Sequence, residues 1–200
     1  MLKQDSALAE RITAIVRDVE SSTAAELVVV VAARSDAYRE VGPLAGALAG
    51  WAALAFVCWS PVDFDAAWFP VDVALVALLA GWIAGRSDRV RRALTLPSRR
   101  AARVEESARA AFLEEAVHGT RARTGVLVYV SLLEERVVLL PDEALLGRVP
   151  RARWNEVELA AHDLAGFERG LRSLGERLAA WLPPEGDNPD EIPDAPRFRS

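Results

Sequence analysis

Two carboxylates and two threonines stand where strands begin or end in this sequence. Glu26 precedes one apolar run and Asp142 follows another, while Thr23 and Thr124 come just before strands. Carboxylate and hydroxyl oxygens are the hard ligands that Ca²⁺ and Mg²⁺ prefer, so Glu26 and Asp142 are candidate metal ligands, and Thr23 or Thr124 could add an oxygen. Two carboxylates are few for a tight site. The alternative is that Asp142 caps the following turn and that Glu26 simply begins a strand.

His118 and Arg123 complete the candidate ligand edge. His118 is expected near the end of a helix, where a charged imidazole suits the dipole and where a carboxylate partner would make it an acid or base. Arg123, with Arg121, could hold an anionic group, or could belong to an ordinary loop before a strand. The sequence contains no Ser-His-Asp order and no glycine-rich phosphate loop. No catalytic residue is therefore assigned.

Three apolar runs predict the strands that position these residues. LVVVVAA after Glu26 and GVLVYVS, Gly125 to Ser131, are continuous and β-branched, as in strands buried on both faces. RVVLL, Arg136 to Leu140, follows the short connection LLEE, which predicts an antiparallel hairpin. A right-handed crossover makes the first two strands parallel. This topology brings the two carboxylates and two threonines to one edge of the sheet.

Helical periodicity predicts four helices around this sheet. The first begins at Ser6, the second extends from Pro97 to near Gly119, and the others cover Trp154 to Leu164 and Phe167 to Trp181. The predicted inward stripe of the second helix consists of Ala102, Ala108, Phe112 and Val117. The fold class is α/β: a small mixed three- to four-stranded sheet flanked by helices, with a two-helix transmembrane hairpin inserted after the first strand.

The hairpin is predicted from two apolar stretches, Pro43 to Ser60 and Ala66 to Gly85, which are long enough to span a bilayer. The first has no charge, and the second carries only Asp72. A belt at the headgroup level fits Trp59, Trp68 and Trp82. The alternative is a helical hairpin buried in a soluble core. Gly46 and Gly50 form a small-residue face that could pack against the second span or a second copy, and we expect packing within the chain.

Charge and composition predict location and limit the partners. Arginines flank the hairpin on both sides and its tip, PVDFDA, is acidic, so both soluble flanks are expected in the cytoplasm, with the lipid bilayer as a partner. The N-terminus lacks the pattern of a signal peptide. A net charge of -5 argues against general nucleic-acid affinity, and the single Cys58 excludes an intramolecular disulfide. We expect a split α/β domain at 1–42 and 86–182, the hairpin at 43–85 and an acidic, proline-rich tail, extended as an arm, at 183–200.

Five segments of this chain together carry a family resemblance. They are TAAELVVVVA from Thr23, FLEEAVHGTRARTGVLVYVSLLEERVVLLPDEAL from Phe112, Trp154 with the helical stretch after it, LGERLAAWLPP from Leu174, and DEIPD from Asp190. These segments resemble the TPM-domain family. The family includes thylakoid-lumen proteins with reported phosphatase and photosystem-repair roles, and many bacterial membrane proteins. The residues matching its bacterial branch are Phe112, His118, Thr120, Arg123, Thr124, Gly125, Ser131, Glu135, Arg136 and Asp142.

The resemblance implies an acidic edge that binds a divalent ion in some members, with Glu26 and Asp142 in that place and Ca²⁺ or Mg²⁺ as the candidate cofactor. Members usually carry glycines around the aspartate, whereas this chain has Pro141, Glu143 and Ala144, which removes the backbone freedom for a tight turn around a ligand. The resemblance also implies that this chain is a bacterial inner-membrane protein. The first hypothesis is a noncatalytic binding or scaffold module for an unknown membrane protein partner. The alternative is a metal-assisted phosphatase acting through the Glu26/Asp142 edge.

Overall fold

The computed structural model describes residues 6–62, 64–65, 67–184 and 191–199. The chain forms two compact units. The first combines residues 1–36 with 101–200, and the second consists of residues 37–100. The second unit is therefore inserted in the sequence of the first, where the two apolar stretches occur.

The first unit contains a mixed sheet of four strands in the order β3-β2-β1-β4. These are β1 (Glu26–Ala32), β2 (Gly125–Ser131), β3 (Arg136–Pro141) and β4 (Arg197–Arg199). β1 pairs in parallel with β2 and β4, and β3 pairs antiparallel with β2. The predicted α/β class with a small mixed sheet flanked by helices is confirmed.

Helices cover both faces of this sheet, which explains why β1 and β2 are apolar at nearly every position. Successive side chains of a strand point to opposite faces. On one face, Leu27 and its alternate neighbours pack with α1 (Ser6–Ser22) and α8 (Leu164–Trp181). On the other, Val28 and its alternate neighbours pack with α5 (Pro97–Glu114).

The end of α5 differs from the prediction. The helix stops before Gly119 because the chain turns through Ala116, whose φ of 51° is left-handed, into a 3-10 helix at Val117–Gly119. Part of the predicted inward stripe is wrong, since Ala102 is exposed. The buried residues of α5 are Val104, Ala108 and Ala111.

Two short helices between β3 and α8 were not predicted. They are α6 (Glu143–Arg148) and α7 (Arg151–Asn155). The predicted helix from Trp154 to Leu164 is wrong, because residues 156–163 are not helical. α8 agrees with its prediction except that it begins one turn earlier.

The second unit is built on α2 (Val41–Trp59), α3 (Phe69–Arg86) and α4 (Asp88–Leu94). α2 and α3 coincide with the predicted apolar stretches and pack through small residues. A Cβ at Gly46 would lie 2.7 Å from the carbonyl oxygen of Ala77, and one at Gly50 would lie 3.1 Å from the Ala77 Cβ. The small-residue face is therefore used for packing within the chain, as predicted.

The large side chains of α2 and α3 point away from this contact. Both helices have the length and apolar composition of membrane spans, with 22% of the α2 window and 6% of the α3 window buried. The four Trp of this unit are all exposed, from Trp82 at 59% to Trp59 at 84%. The helices thus present an exposed apolar surface.

The tail differs from the predicted extended arm. Residues 185–190 and 200 lie outside the described residues, but 191–199 fold onto the first unit. Ile192 packs on the α5 face, and β4 adds a strand beside β1. Arg197 Nε lies 3.1 Å from a Glu115 carboxylate oxygen, and Arg199 lies 2.6 Å from Glu114. This part of the tail is an edge strand held by ion pairs.

Candidate functional site

The strand register places the predicted acidic residues at one edge of the sheet. Glu26 pairs with Gly125 in the β1–β2 ladder, and the Asp142 N–H donates to the Gly125 carbonyl oxygen at 2.8 Å. The three residues form a row across β1, β2 and the end of β3, and strand alternation puts their Cβ positions on the α5 face. Glu26 is 3% exposed and Asp142 is 5% exposed. The gathering that the topology predicts is present.

The 3-10 helix covers the middle of this row. A Cβ on Gly125 would lie 2.3 Å from the carbonyl oxygen of Val117 and 2.7 Å from its Cγ1. Val117 is fully buried. Adjacent strands are about 4.8 Å apart, so the backbones of Glu26 and Asp142 are separated by roughly 10 Å. Val117 occupies the space above the residue between them.

Asp142 has two structural contacts. Its Oδ1 accepts the N–H of Glu143 at 2.7 Å as the N-cap of α6, and its Oδ2 lies 3.8 Å from Nε of Arg123. Arg123 has a left-handed φ of 57° and also donates to the carbonyl oxygen of His118. The His118 ring lies 6.2 Å from that of Phe112, centroid to centroid. Asp142 therefore caps a helix, as the alternative interpretation predicts, and His118 meets Arg123 through its backbone.

The two threonines hold backbone segments together. Thr23 Oγ1 donates to the carbonyl oxygen of Leu182 at 2.8 Å, which ties the start of β1 to the end of α8. Thr124 Oγ1 donates to the carbonyl oxygen of Ala24 at 2.8 Å. Both residues are 4% exposed or less. Their hydroxyl protons are used within the protein.

The residues at this edge do not fit a shared Ca²⁺ or Mg²⁺ ion. In the described ranges, no three His, Cys, Asp or Glu side chains are grouped so as to hold a metal. The Arg123 guanidinium beside Asp142 opposes a second cation, and Val117 covers the residue between Asp142 and Glu26. Ca²⁺ takes about six to eight oxygen ligands and Mg²⁺ needs a near-ideal octahedron.

Glu20 belongs to a second acidic cluster that sequence reasoning missed. Its Oε1 accepts the N–H of Leu27 at 2.9 Å. Burial, with smaller contributions from the Glu26 and Asp194 carboxylates, raises the pKa of Glu20 to about 8, and the Leu27 hydrogen bond opposes this rise. Asp194 accepts from Arg17 Nε at 3.2 Å. A carboxyl group with such a pKa can gain or lose a proton near neutral pH.

A polar network occupies the opposite end of β2. The hydroxyl of Ser131 donates to the Glu134 carboxylate, and both residues are buried. The Ser35 hydroxyl donates to Ser131 Oγ at 2.8 Å, and the Ser35 N–H donates to Glu134 Oε1 at 3.1 Å. Ser107 of α5 donates to the Ser35 carbonyl oxygen at 2.8 Å. The network joins the segment after β1 to the β2–β3 turn and to α5.

Comparisons with known proteins bear on the fold. No family model matches the chain, and no curated protein matches its sequence. The NMR structure of BA42 protein from the psychrophilic bacterium Bizionia argentinensis is similar over 99% of this chain and 99% of its own, with a TM-score of 0.57 and 16% sequence identity. At this identity the similarity shows a shared fold and nothing about function.

Proposed function

We propose that the chain is a membrane-anchored, TPM-like protein whose α/β unit is a noncatalytic binding or scaffold module for a membrane-associated complex. The observation that carries this proposal is that the carboxylate of Asp142 is engaged in contacts within the fold. Its carboxylate caps α6 and lies 3.8 Å from Arg123, so the best-placed acidic group at the predicted edge is already used in the fold. A carboxylate whose oxygen caps a helix and which lies beside a guanidinium holds parts of the fold together, and this favours a structural role.

The surface of the second unit supports membrane anchoring. Large apolar side chains cover α2 and α3 on the sides away from their glycine contact, and a continuous apolar surface of this size is stable only against a partner such as lipid. Arg86 lies over the Trp82 ring at 4.2 Å at one end of the hairpin, where an interfacial pair belongs. We propose insertion in a bacterial inner membrane, with both flanks cytoplasmic because arginines flank the hairpin and its tip is acidic.

The alternative is a metal-assisted phosphatase, and one observation favours it. Glu20, Glu26 and Asp142 are buried or partly buried carboxylates at the same edge of the sheet, and burial raises the pKa of Glu20 to about 8. A carboxyl group with a raised pKa, such as that of Glu20, occurs in active sites as well as in structural clusters.

An enzyme assay separates the two functions. The purified full chain in detergent is titrated with Ca²⁺ and Mg²⁺ by calorimetry and assayed on a generic phosphomonoester, beside Asp142→Asn and the matched cap variant Asp163→Asn. We expect no metal-dependent turnover in any of the three proteins. Turnover that disappears in Asp142→Asn and persists in Asp163→Asn would overturn the noncatalytic proposal.

Cysteine labelling tests the proposed topology. With Cys58→Ala as background, Val62→Cys is placed at the tip and Pro184→Cys in the tail, and intact cells are treated with a membrane-impermeant maleimide. We expect the tip to react and the tail to stay unlabelled until the cells are opened. Labelling of the tail in intact cells would reverse the proposed orientation.

A further inference from the structure

One edge of the sheet is unpaired along β3. The Asp142 N–H bonds to the Gly125 carbonyl oxygen, so the alternation of an antiparallel pair directs the backbone groups of residues 136, 138 and 140 toward β2. Those of Val137, Leu139 and Pro141 then point away from the sheet. None of the described turns, caps or side chains bonds to these outward groups. Two N–H groups and three carbonyl oxygens are therefore available to another strand.

The two edges of the sheet differ. At the far side, β4 has only three residues, and its arginines are ion-paired with Glu114 and Glu115, which is how natural proteins protect an edge. β3 has six residues, and no strand or helix in the described part of the chain is hydrogen-bonded to its outer side. A six-residue edge can pair with an added strand of about the same length.

Cavities lie along the open edge. One, of about 820 Å³, is lined by β3 from Arg136 to Pro141 together with parts of α5 and α7. The other, of about 680 Å³, is lined by Val137 and Leu139 together with Leu159 and the first half of α8. An added strand would place alternate side chains toward each cavity.

The larger cavity is positively charged although the whole chain carries a net charge of -5. Its lining includes Arg109, Arg136 and Arg151 against the single carboxylate of Glu105. Arg109 pairs with Glu105 at 3.2 Å, whereas Arg136 and Arg151 form no ion pair with any residue in the described ranges. Two arginines are thus free to bind carboxylates of a partner.

Trp154 adds an unused donor to the same cavity. The residue lines the cavity, is 6% exposed and stacks edge-on against Trp181 at 5.2 Å between ring centroids. Its indole Nε1–H has no hydrogen-bond partner among the described atoms. Buried indole N–H groups are normally bonded, so the Nε1–H is a donor that an occupant of the cavity could satisfy.

We propose that the β3 edge docks an extended segment of a partner protein in which apolar residues alternate with Asp or Glu, and that this segment adds to the sheet as a fifth strand. Main-chain hydrogen bonds to Val137 and Leu139 supply affinity, and Arg136 and Arg151 select for acidic side chains. A second copy of this chain fits less well, because it would bring the same arginines to the interface. The site rests on the proposed binding function and specifies where the partner binds.

The test uses the full chain in detergent and a fluorescein-labelled peptide of about eight alternating Glu and Val residues, with a Lys and Val peptide as the matched control. Anisotropy measures binding, and amide hydrogen exchange measures protection at residues 137 and 139. We expect the acidic peptide to bind about tenfold more tightly than the basic one and to slow exchange at both outward amides.

Charge reversal identifies the residues responsible. The double variant Arg136→Glu with Arg151→Glu should weaken binding of the acidic peptide by about tenfold and strengthen binding of the basic one. The control Arg148→Glu changes an exposed residue outside both cavities and should leave the affinity for both peptides unchanged. All three positions are exposed, so the variants should fold. Circular dichroism checks this.

Each other result overturns the proposal. The proposed site is wrong if the acidic peptide does not bind or if its binding is unaffected by the charge reversal. It is also wrong if the amides of residues 137 and 139 are not protected from exchange when the peptide binds. Protection of these amides that rises with protein concentration and without peptide identifies a second copy as the occupant. If the peptide does not bind and no phosphatase turnover is seen, the β3 site is wrong but the proposed binding function stands. If metal-dependent turnover is seen and is lost in Asp142→Asn, the proposed noncatalytic function is wrong whether or not the peptide binds.

Discussion

Replacing Glu20 by Gln should flatten the pH dependence of stability in the first unit. The folded chain raises the pKa of Glu20 to about 8 from an ordinary value of 4.5, so between these values the folded state holds a proton that the unfolded chain releases. The stability that comes from this group is therefore complete below about pH 4.5 and is lost as the pH rises toward 8.

The magnitude follows from the same pKa difference. At about 1.4 kcal/mol per pH unit it sets an upper limit of about 5 kcal/mol, and solvent around the partly exposed side chain reduces the expected loss to about 2 kcal/mol. Gln mimics protonated Glu20, since it keeps an oxygen for the Leu27 N–H and adds an amide donor toward Asp194. The variant should match the wild type at pH 5 and be about 2 kcal/mol more stable at pH 8.5.

Urea unfolding of the full chain in detergent, followed by near-ultraviolet circular dichroism from pH 5 to 8.5, measures this difference. Glu10→Gln is the matched control, because Glu10 is an exposed carboxylate on the same helix, and it should keep the wild-type dependence on pH. A Glu20→Gln variant that loses as much stability as the wild type between pH 5 and 8 would refute the assignment of a raised pKa to this group.

Three further substitutions test packing and capping. Gly46→Ile places a side chain against a carbonyl oxygen of the facing helix and should destabilise the α2/α3 pair by about 2 kcal/mol in detergent melts, whereas Ala52→Ile, at an exposed position, should not. Gly125→Ala should lower the free energy of unfolding in urea by about 2–3 kcal/mol, because the new Cβ would clash with Val117 of the 3-10 helix. Gly147→Ala is the control, since a Cβ there has no atom within 4 Å. Equal stabilities of the two variants would contradict the close approach at Gly125. Asp163→Ala should cost about 1 kcal/mol through loss of the α8 cap, and Asp163→Asn should restore it; an alanine variant as stable as the wild type would show that the cap contributes nothing.

The central strands could be predicted because their burial on two faces leaves a direct trace in the sequence. A continuous β-branched run such as the one after Glu26 has few alternatives, and the short connection before Arg136 allows only an antiparallel return. The packing of α2 against α3 could also be predicted, because Gly46 and Gly50 are four residues apart and therefore lie on one face of the helix.

The short and alanine-rich elements could not be predicted reliably. α6 and α7 have six and five residues, too few for a 3.6-residue period to be distinguished from chance. In α5, many alanines make several faces look alike, so the pattern predicts an inward Ala102 although Val104 takes that role. β4 is a three-residue strand inside a proline-rich acidic tail, a composition typical of unstructured chain.

The candidate site, too, could be predicted only in part from the sequence. Topology alone brings Glu26 and Asp142 to one edge, because β1 and β2 begin together and the antiparallel β3 ends beside the start of β2. It does not show that Val117 lies between them, since a left-handed turn at Ala116 positions the 3-10 helix and nothing in an alanine predicts that turn. The environment of Glu20 depends on the tail, whose position no local pattern specifies.

The order of the sheet also has a consequence for biogenesis. β1 is an inner strand, yet both of its neighbours, β2 and β4, are encoded after the hairpin. At about 5–20 residues per second, the ribosome needs on the order of ten seconds to proceed from the end of α3 to β4. If the hairpin inserts as proposed, α2 and α3 can enter the bilayer during that interval, while the apolar β1 waits first for β2 and then for β4. Under the proposed anchoring, insertion should therefore precede folding, and a chain that fails to insert would expose β1 and the hairpin together to chaperones and proteases.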